Sequence, residues 1–128
     1  MRILLDTHLL LWAMAASRKL PRGVKSQLLD PHNDIYYSAA SLWEIAIKHG
    51  LQRADFRIDI EALMAALEAS GFLELPITAA HAVGVAKLPP IHKDPFDRLL
   101  VAQSMAEPLT LLTNDAVLAD YWDGVKVV

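Results

Sequence analysis

The run Ile3-Leu4-Leu5 is apolar without a break, and it stops at Asp6 and Thr7 just before a helix-like Leu9-Leu10-Leu11-Trp12-Ala13. So short an unbroken apolar run reads as a strand buried on both faces, the condition of a parallel sheet covered by helices. The remaining chain repeats the alternation. Ile35-Tyr36-Tyr37, Phe72 to Leu75, Leu109 to Leu112 and Val125 to Val128 read as further strands. Helices are expected over about Thr7–Ala16, from Pro21 onward, over Ser41–His49 with Gly50 as its stop, and around Ile60-Leu63-Met64-Leu67. Others are expected over Thr78–Lys87, Pro95–Ala106 and Asp115–Tyr121, and a polar connector over Leu51–Arg57. Strands alternating with helices predict a single domain over residues 1–128, an α/β/α sandwich around one parallel sheet.

Such a sheet says where chemistry belongs. Ligands bind beyond the carboxyl ends of the strands, where the strand order reverses. Asp6 ends the first strand and Asp115 follows the fourth, so if these two strands flank the reversal their carboxylates face one crevice. Glu44 lies in the first turn of the helix after the second strand, and Asp97 in the first turn of the helix before the fourth. Each is therefore expected near the same rim. Close carboxylates cannot all stay ionised without a cation or a raised pKa, and a hard ion such as Mg²⁺ or Mn²⁺ resolves the conflict.

Each acid also has a purely structural explanation. Asp6 suits the cap of the helix that follows it. Ser41-x-x-Glu44 matches a capping box, and Glu44 can pair with Lys48 one turn on. Asp94 before Pro95 suits an N-cap, Asp97 complements the helix dipole, and Thr113, Asn114 and Asp115 all favour a helix start. One explanation apiece is ordinary; all converging on one edge of a sheet is not.

Other chemistries fall away. With no cysteine among 128 residues, disulfides, thiolate nucleophiles and sulfur-bound metals are excluded. His8, His32, His49, His81 and His92 show no metal-binding pair, and loop or surface roles suit most of them; His92 stands out because it lies two residues before Asp94. No Gly-x-Ser-x-Gly elbow or P-loop is present. The longest apolar run, Leu9 to Ala16, is too short for a membrane span, and Asp6 and His8 break any signal-peptide core, so a soluble, cytoplasmic protein is expected. A net charge of −3 argues against indiscriminate coating of nucleic acid. It leaves room for a nuclease with acids in its cleft and basic residues at its rim. Two local basic clusters exist: Arg18, Lys19, Arg22 and Lys25, and Lys48, Arg53 and Arg57.

Leu4-Leu5-Asp6-Thr7-His8, Ser41-Leu42-Trp43-Glu44-Ile45-Ala46-Ile47-Lys48 and Asp94-Pro95-Phe96-Asp97-Arg98-Leu99-Leu100-Val101-Ala102-Gln103 together resemble the PIN-domain family, in the order and spacing of VapC-type toxins of bacterial toxin–antitoxin pairs. The resemblance spans essentially the whole chain. It implies a parallel α/β/α sandwich, Mg²⁺- or Mn²⁺-dependent endoribonuclease activity, a homodimer, and inhibition by a cognate VapB-like antitoxin whose C-terminal segment occupies the cleft. Asp6, Glu44, Asp97 and Asp115 match the family's four acids in turn, with Asp94 placed to share the role of Asp97. On that reading these acids hold one or two ions and water attacks an RNA phosphodiester. Thr7 and Thr113 orient ligands, and Arg98 and Lys93 are candidates for phosphate contacts.

Two other classes compete. A phosphoryl-transfer α/β enzyme of the dehalogenase or receiver type needs a second acid close to the first, and Asp6 is followed by Thr7 and His8. A catalytically silent interaction module keeps the fold and need not respond to metal.

Overall fold

The computed structural model describes residues 1–50 and 58–128 and sets five strands side by side. They are β1 (Arg2–Leu5), β2 (Asp34–Ser38), β3 (Leu73–Leu75), β4 (Thr110–Thr113) and β5 (Val125–Val127), in the order β3-β2-β1-β4-β5. Every pairing is parallel, and Leu4 at the centre lies opposite Tyr36 on one side and Leu111 on the other. The crossovers carry α1 (Thr7–Met14), α2 (Arg22–Leu29), α3 (Ala39–Gly50), α4 (Ile60–Ala69), α5 (Ala79–Ala86) and α6 (Pro95–Ala106). A short 3₁₀ helix over Ala116–Asp120 joins β4 to β5.

The alternation of side chains along β1 divides the interior into two cores. Ile3 and Leu5 pack on one face with Leu9, Val24, Leu63 and Leu67, from α1, α2 and α4. Leu4 packs on the other with Leu100, Val101 and Leu118, from α6 and the 3₁₀ helix. Ile3, Leu4 and Leu5 are all 0% exposed, as an apolar run without alternation requires. Burial of each such side chain contributes about 2 kcal/mol before chain entropy is set against it. The sandwich expected from the sequence is therefore the observed fold.

Several boundaries differ, for local reasons. Helix α1 stops at Met14 rather than Ala16, because Ala16 turns into the left-handed region with φ 50°. Pro21 precedes α2 as its cap and is not its first residue. Helix α3 starts at Ala39, two residues before the expected Ser41, because the Ser38 hydroxyl accepts the Ala40 N–H at 3.0 Å. Gly71, at φ 79°, makes the turn that leads from α4 into β3. His81, expected in a surface role, is 0% exposed: its Nδ1 accepts the Thr78 N–H and its Nε2 lies 2.6 Å from Glu107 Oε2. The connector expected over 51–57, with Arg53 and Arg57 of the second basic cluster, lies outside the described residues. Among the described residues no helix is long and apolar enough to cross a membrane.

Candidate functional site

With β2 on one side of β1 and β4 on the other, the chain's order reverses between β1 and β4. A parallel sheet opens a crevice at that point. Here the crevice holds about 280 Å³ and is lined by Asp6, His8, Asp97, Asn114, Asp115 and Ala116. Three of the four acids singled out in the sequence thus border one cavity. The fourth, Glu44, lines an adjoining groove of about 550 Å³, and His8 borders both spaces.

Asp6 is 3% exposed and takes the capping role foreseen for it. One oxygen, Oδ1, caps α1 by accepting the Leu9 N–H at 2.8 Å. The other, Oδ2, accepts the Thr113 hydroxyl at 2.6 Å and the Asn114 N–H at 3.4 Å. Thr113 in turn accepts the Asp115 N–H at 3.0 Å, so the ends of β1 and β4 are tied together around the acids. Asp115 is likewise divided: Oδ1 caps the 3₁₀ helix through the Val117 N–H at 3.0 Å, and Oδ2 lies 2.9 Å from His92 Nε2.

Glu44 does not form the capping box. Because α3 starts two residues early, Glu44 falls in its second turn instead of its first and reaches across to α1. Its Oε1 accepts the Thr7 hydroxyl at 2.7 Å, with Ser41 Oγ 2.9 Å from the same Thr7 oxygen. Its Oε2 pairs with Lys48, one turn on along α3. Asp94 takes the structural role foreseen for it, capping α6 through the Phe96 and Asp97 N–H groups. It does not line the crevice.

Asp97 is the exception in this set. Among the described residues its carboxylate accepts no hydrogen bond, and its nearest partner is His92 Nε2 at 3.7 Å. Burial raises its pKa to about 6, and the charges of Asp94, Glu44 and Asp6 push the same way against the weaker pull of His92. Burial also raises the Asp6 carboxyl, against the opposing hydrogen bonds from Thr113 and Leu9. Lys48 is raised by its hydrogen bond to Glu44. The centre is thus an excess of desolvated negative charge. Carboxylate oxygens gathered at one buried point, with no sulfur among them, fit a hard divalent cation.

Arg98 points elsewhere. Its guanidinium donates to the carbonyls of Pro89 and Val85 at 2.9 and 3.1 Å and to the Tyr121 hydroxyl at 3.1 Å. It clamps the segment entering α6. Lys93 is exposed on that segment. Ser41 and Tyr121 are additions to the sequence reading. Tyr121 receives both the His92 N–H, at 2.8 Å, and Arg98. Nothing in the sequence marks Tyr121, whereas Ser41, three residues before Glu44, suits a cap on sequence alone.

Comparison with known proteins bears on the family and the fold. The PIN domain family model matches residues 3–122. No curated protein sequence matches the chain closely enough to count as a relative. Among solved structures it is similar to VapBC2 from Rickettsia felis bound to a promoter DNA fragment, with TM-score 0.69, 19% identity, and coverage of 100% of this chain and 98% of that one. It is also similar to DNA-bound VapBC from Salmonella typhimurium, with TM-score 0.67, 16% identity, and coverage of 100% and 97%. FitAcB from Neisseria gonorrhoeae follows, with TM-score 0.64, 23% identity, and coverage of 96% and 95%. At these identities the likeness is one of fold.

Proposed function

The chain belongs to the PIN domain family, and from that premise we propose that it is a divalent-cation-dependent endoribonuclease, the toxin of a toxin–antitoxin pair. The observation that carries this reading is Asp97, a half-buried carboxylate with no hydrogen-bond donor among the described residues, facing other acids across the crevice at the strand reversal. A carboxylate in that setting costs stability when ionised, and a bound cation would remove the cost.

On this reading Asp6, Asp97 and Asp115 hold the ion, with Glu44 reaching it directly or through water. Mg²⁺ or Mn²⁺ suits the all-oxygen donor set. When bound, such an ion supplies Lewis-acid polarisation of a phosphodiester and acidifies water. The chain supplies the orientation. The Thr113 hydroxyl holds Oδ2 of Asp6, and Thr7 holds Oε1 of Glu44. Lys48 neutralises Glu44 and lines the adjoining groove with Lys19, Trp12 and His8, a mixture of cations and rings suited to an unpaired strand. Single-stranded or loop RNA is favoured, since duplex RNA hides its base edges.

Two protein partners complete the proposal. One similar solved structure is a toxin–antitoxin complex from Klebsiella pneumoniae, and a cognate VapB-like antitoxin is the expected inhibitor here. An apolar groove of about 470 Å³ between α1 and α2, rimmed by Arg18, Arg22 and Lys25, suits an amphipathic acidic segment. A second copy of the chain is the other partner. Trp43, 56% exposed and set edge-on to Phe96, and Ile47 one turn on offer it an apolar face. All these associations belong to the cytoplasm.

The test is cleavage of RNA by antitoxin-free protein. Activity is expected with Mg²⁺ or Mn²⁺, none with a chelator, and none from Asp6→Ala in a variant that still folds. Full activity in folded Asp6→Ala, or in excess chelator, overturns the reading.

A further inference from the structure

His92 lies beside the acids without being one of the family's acidic positions, and on distance alone it resembles a ligand. Its Nε2 and one oxygen each of Asp97 and Asp115 lie within 4.8 Å of one another. We propose instead that His92 is a positioning residue that serves the cation centre by holding Asp115 and never ligates the ion itself. The proposal rests on the cation reading above and adds a role that the acids alone do not supply.

The ring is fixed from several directions. The His92 backbone N–H donates to the Tyr121 hydroxyl at 2.8 Å and anchors the residue that carries the ring. Its Nδ1 lies 3.0 Å from the backbone N of Asp94. A backbone N–H can only donate, so Nδ1 carries the lone pair and the proton of the neutral ring sits on Nε2. That N–H is directed at Asp115 Oδ2, 2.9 Å away, with Asp97 Oδ2 further off at 3.7 Å. A protonated nitrogen has no lone pair to give a cation. To become a ligand the ring would have to shed that proton or exchange tautomers, and the second course leaves the Asp94 N–H unpaired beside the cap of α6.

The consequence falls on Asp115. Its Oδ1 accepts the Val117 N–H, and Oδ2 is the oxygen that meets His92. A carboxylate oxygen has two lone-pair directions, so Oδ2 can accept the His92 N–H and still meet a cation. Hydrogen bonds of this kind to a ligating carboxylate set its rotamer and the affinity of the site. Asp115 is the more exposed member of the pair, with 35% of its side chain accessible, so without His92 little would hold it there. The ion is left with oxygen donors only, which favours Mg²⁺ or Mn²⁺ over ions that seek imidazole.

Mn²⁺ binding, read by calorimetry and by pulsed electron paramagnetic resonance, tests the role apart from activity. Wild-type protein should bind Mn²⁺ with no directly coordinated nitrogen in its spectrum. His92→Ala should weaken binding about 10- to 100-fold. His92→Gln, whose amide N–H reaches a similar point, should recover most of that loss, with circular dichroism confirming that both variants fold. A coordinated nitrogen signal that disappears in His92→Ala makes His92 a ligand and overturns the proposal. Unchanged affinity in folded His92→Ala overturns it too, while leaving the acid site standing. Failure of wild-type protein to bind Mn²⁺ removes the cation reading and this proposal together.

Discussion

At the scale of single residues, the acids around the crevice differ in what satisfies them, and that difference predicts how each responds to change. Asp6 has donors on both oxygens, whereas Asp97 has none among the described residues. In metal-free protein the folded-state pKa of Asp97, about 6, lies above the ordinary carboxylate value of about 3.9, so the folded state holds its proton longer. Between those pH values the folded state binds more protons than the unfolded one, and stability falls as pH rises. The stability is intact below about pH 4 and lost above about pH 6, by an amount on the order of 2–3 kcal/mol. Asp97→Asn should remove this decline. Urea midpoints in chelator at pH 4.5 and 7.5 check it, and equal slopes for the two proteins would contradict it. Asp6→Ala should lose about 1–2 kcal/mol with the α1 cap, whereas Asp6→Asn, which keeps an acceptor for the Leu9 N–H, should lose less; thermal melts separate the two.

At the scale of elements, much of the fold was legible and some of the site was not. The unbroken Ile3-Leu4-Leu5 run implied a strand with helices on both sides, and its neighbours went into two separate cores. The rim positions of Asp6, Asp97 and Asp115 followed from strand and helix ends alone. The start of α3 did not, because Ser38 and Ser41 are both competent caps, and only the extent of β2 decides between them. Burial of His81 was invisible for a related reason: its partner Glu107 lies 26 residues away. Arg98 shows the same gap. Its charge is evident in the sequence, but the carbonyls it meets belong to the end of α5 and the loop after it. Arg98→Lys cannot reproduce a planar set of donors and should cost about 2–3 kcal/mol. A thermal shift of several degrees is expected, and a change within error would show that the clamp is dispensable.

At the scale of the whole molecule, the carboxylates come from four separate elements, so occupancy of the crevice bears on global stability. A cation that binds only the folded state stabilises it by about 2.7 kcal/mol at a hundred times its dissociation constant. The melting temperature should therefore rise with Mg²⁺ or Mn²⁺, fall back on chelation, and respond far less in Asp97→Asn. Absence of any shift in the wild-type protein would mean that the crevice does not bind the ion. The sheet order has a further consequence for the making of the protein. Asp6 acquires its Thr113 partner only when β4 docks beside β1, and Asp115 comes later still. A ribosome that has released everything up to α6 therefore displays several of the acids but no assembled centre. A chain stalled or cut ahead of β4 leaves the crevice unbuilt, with the Asp6 carboxylate deprived of the hydroxyl that Thr113 brings to it.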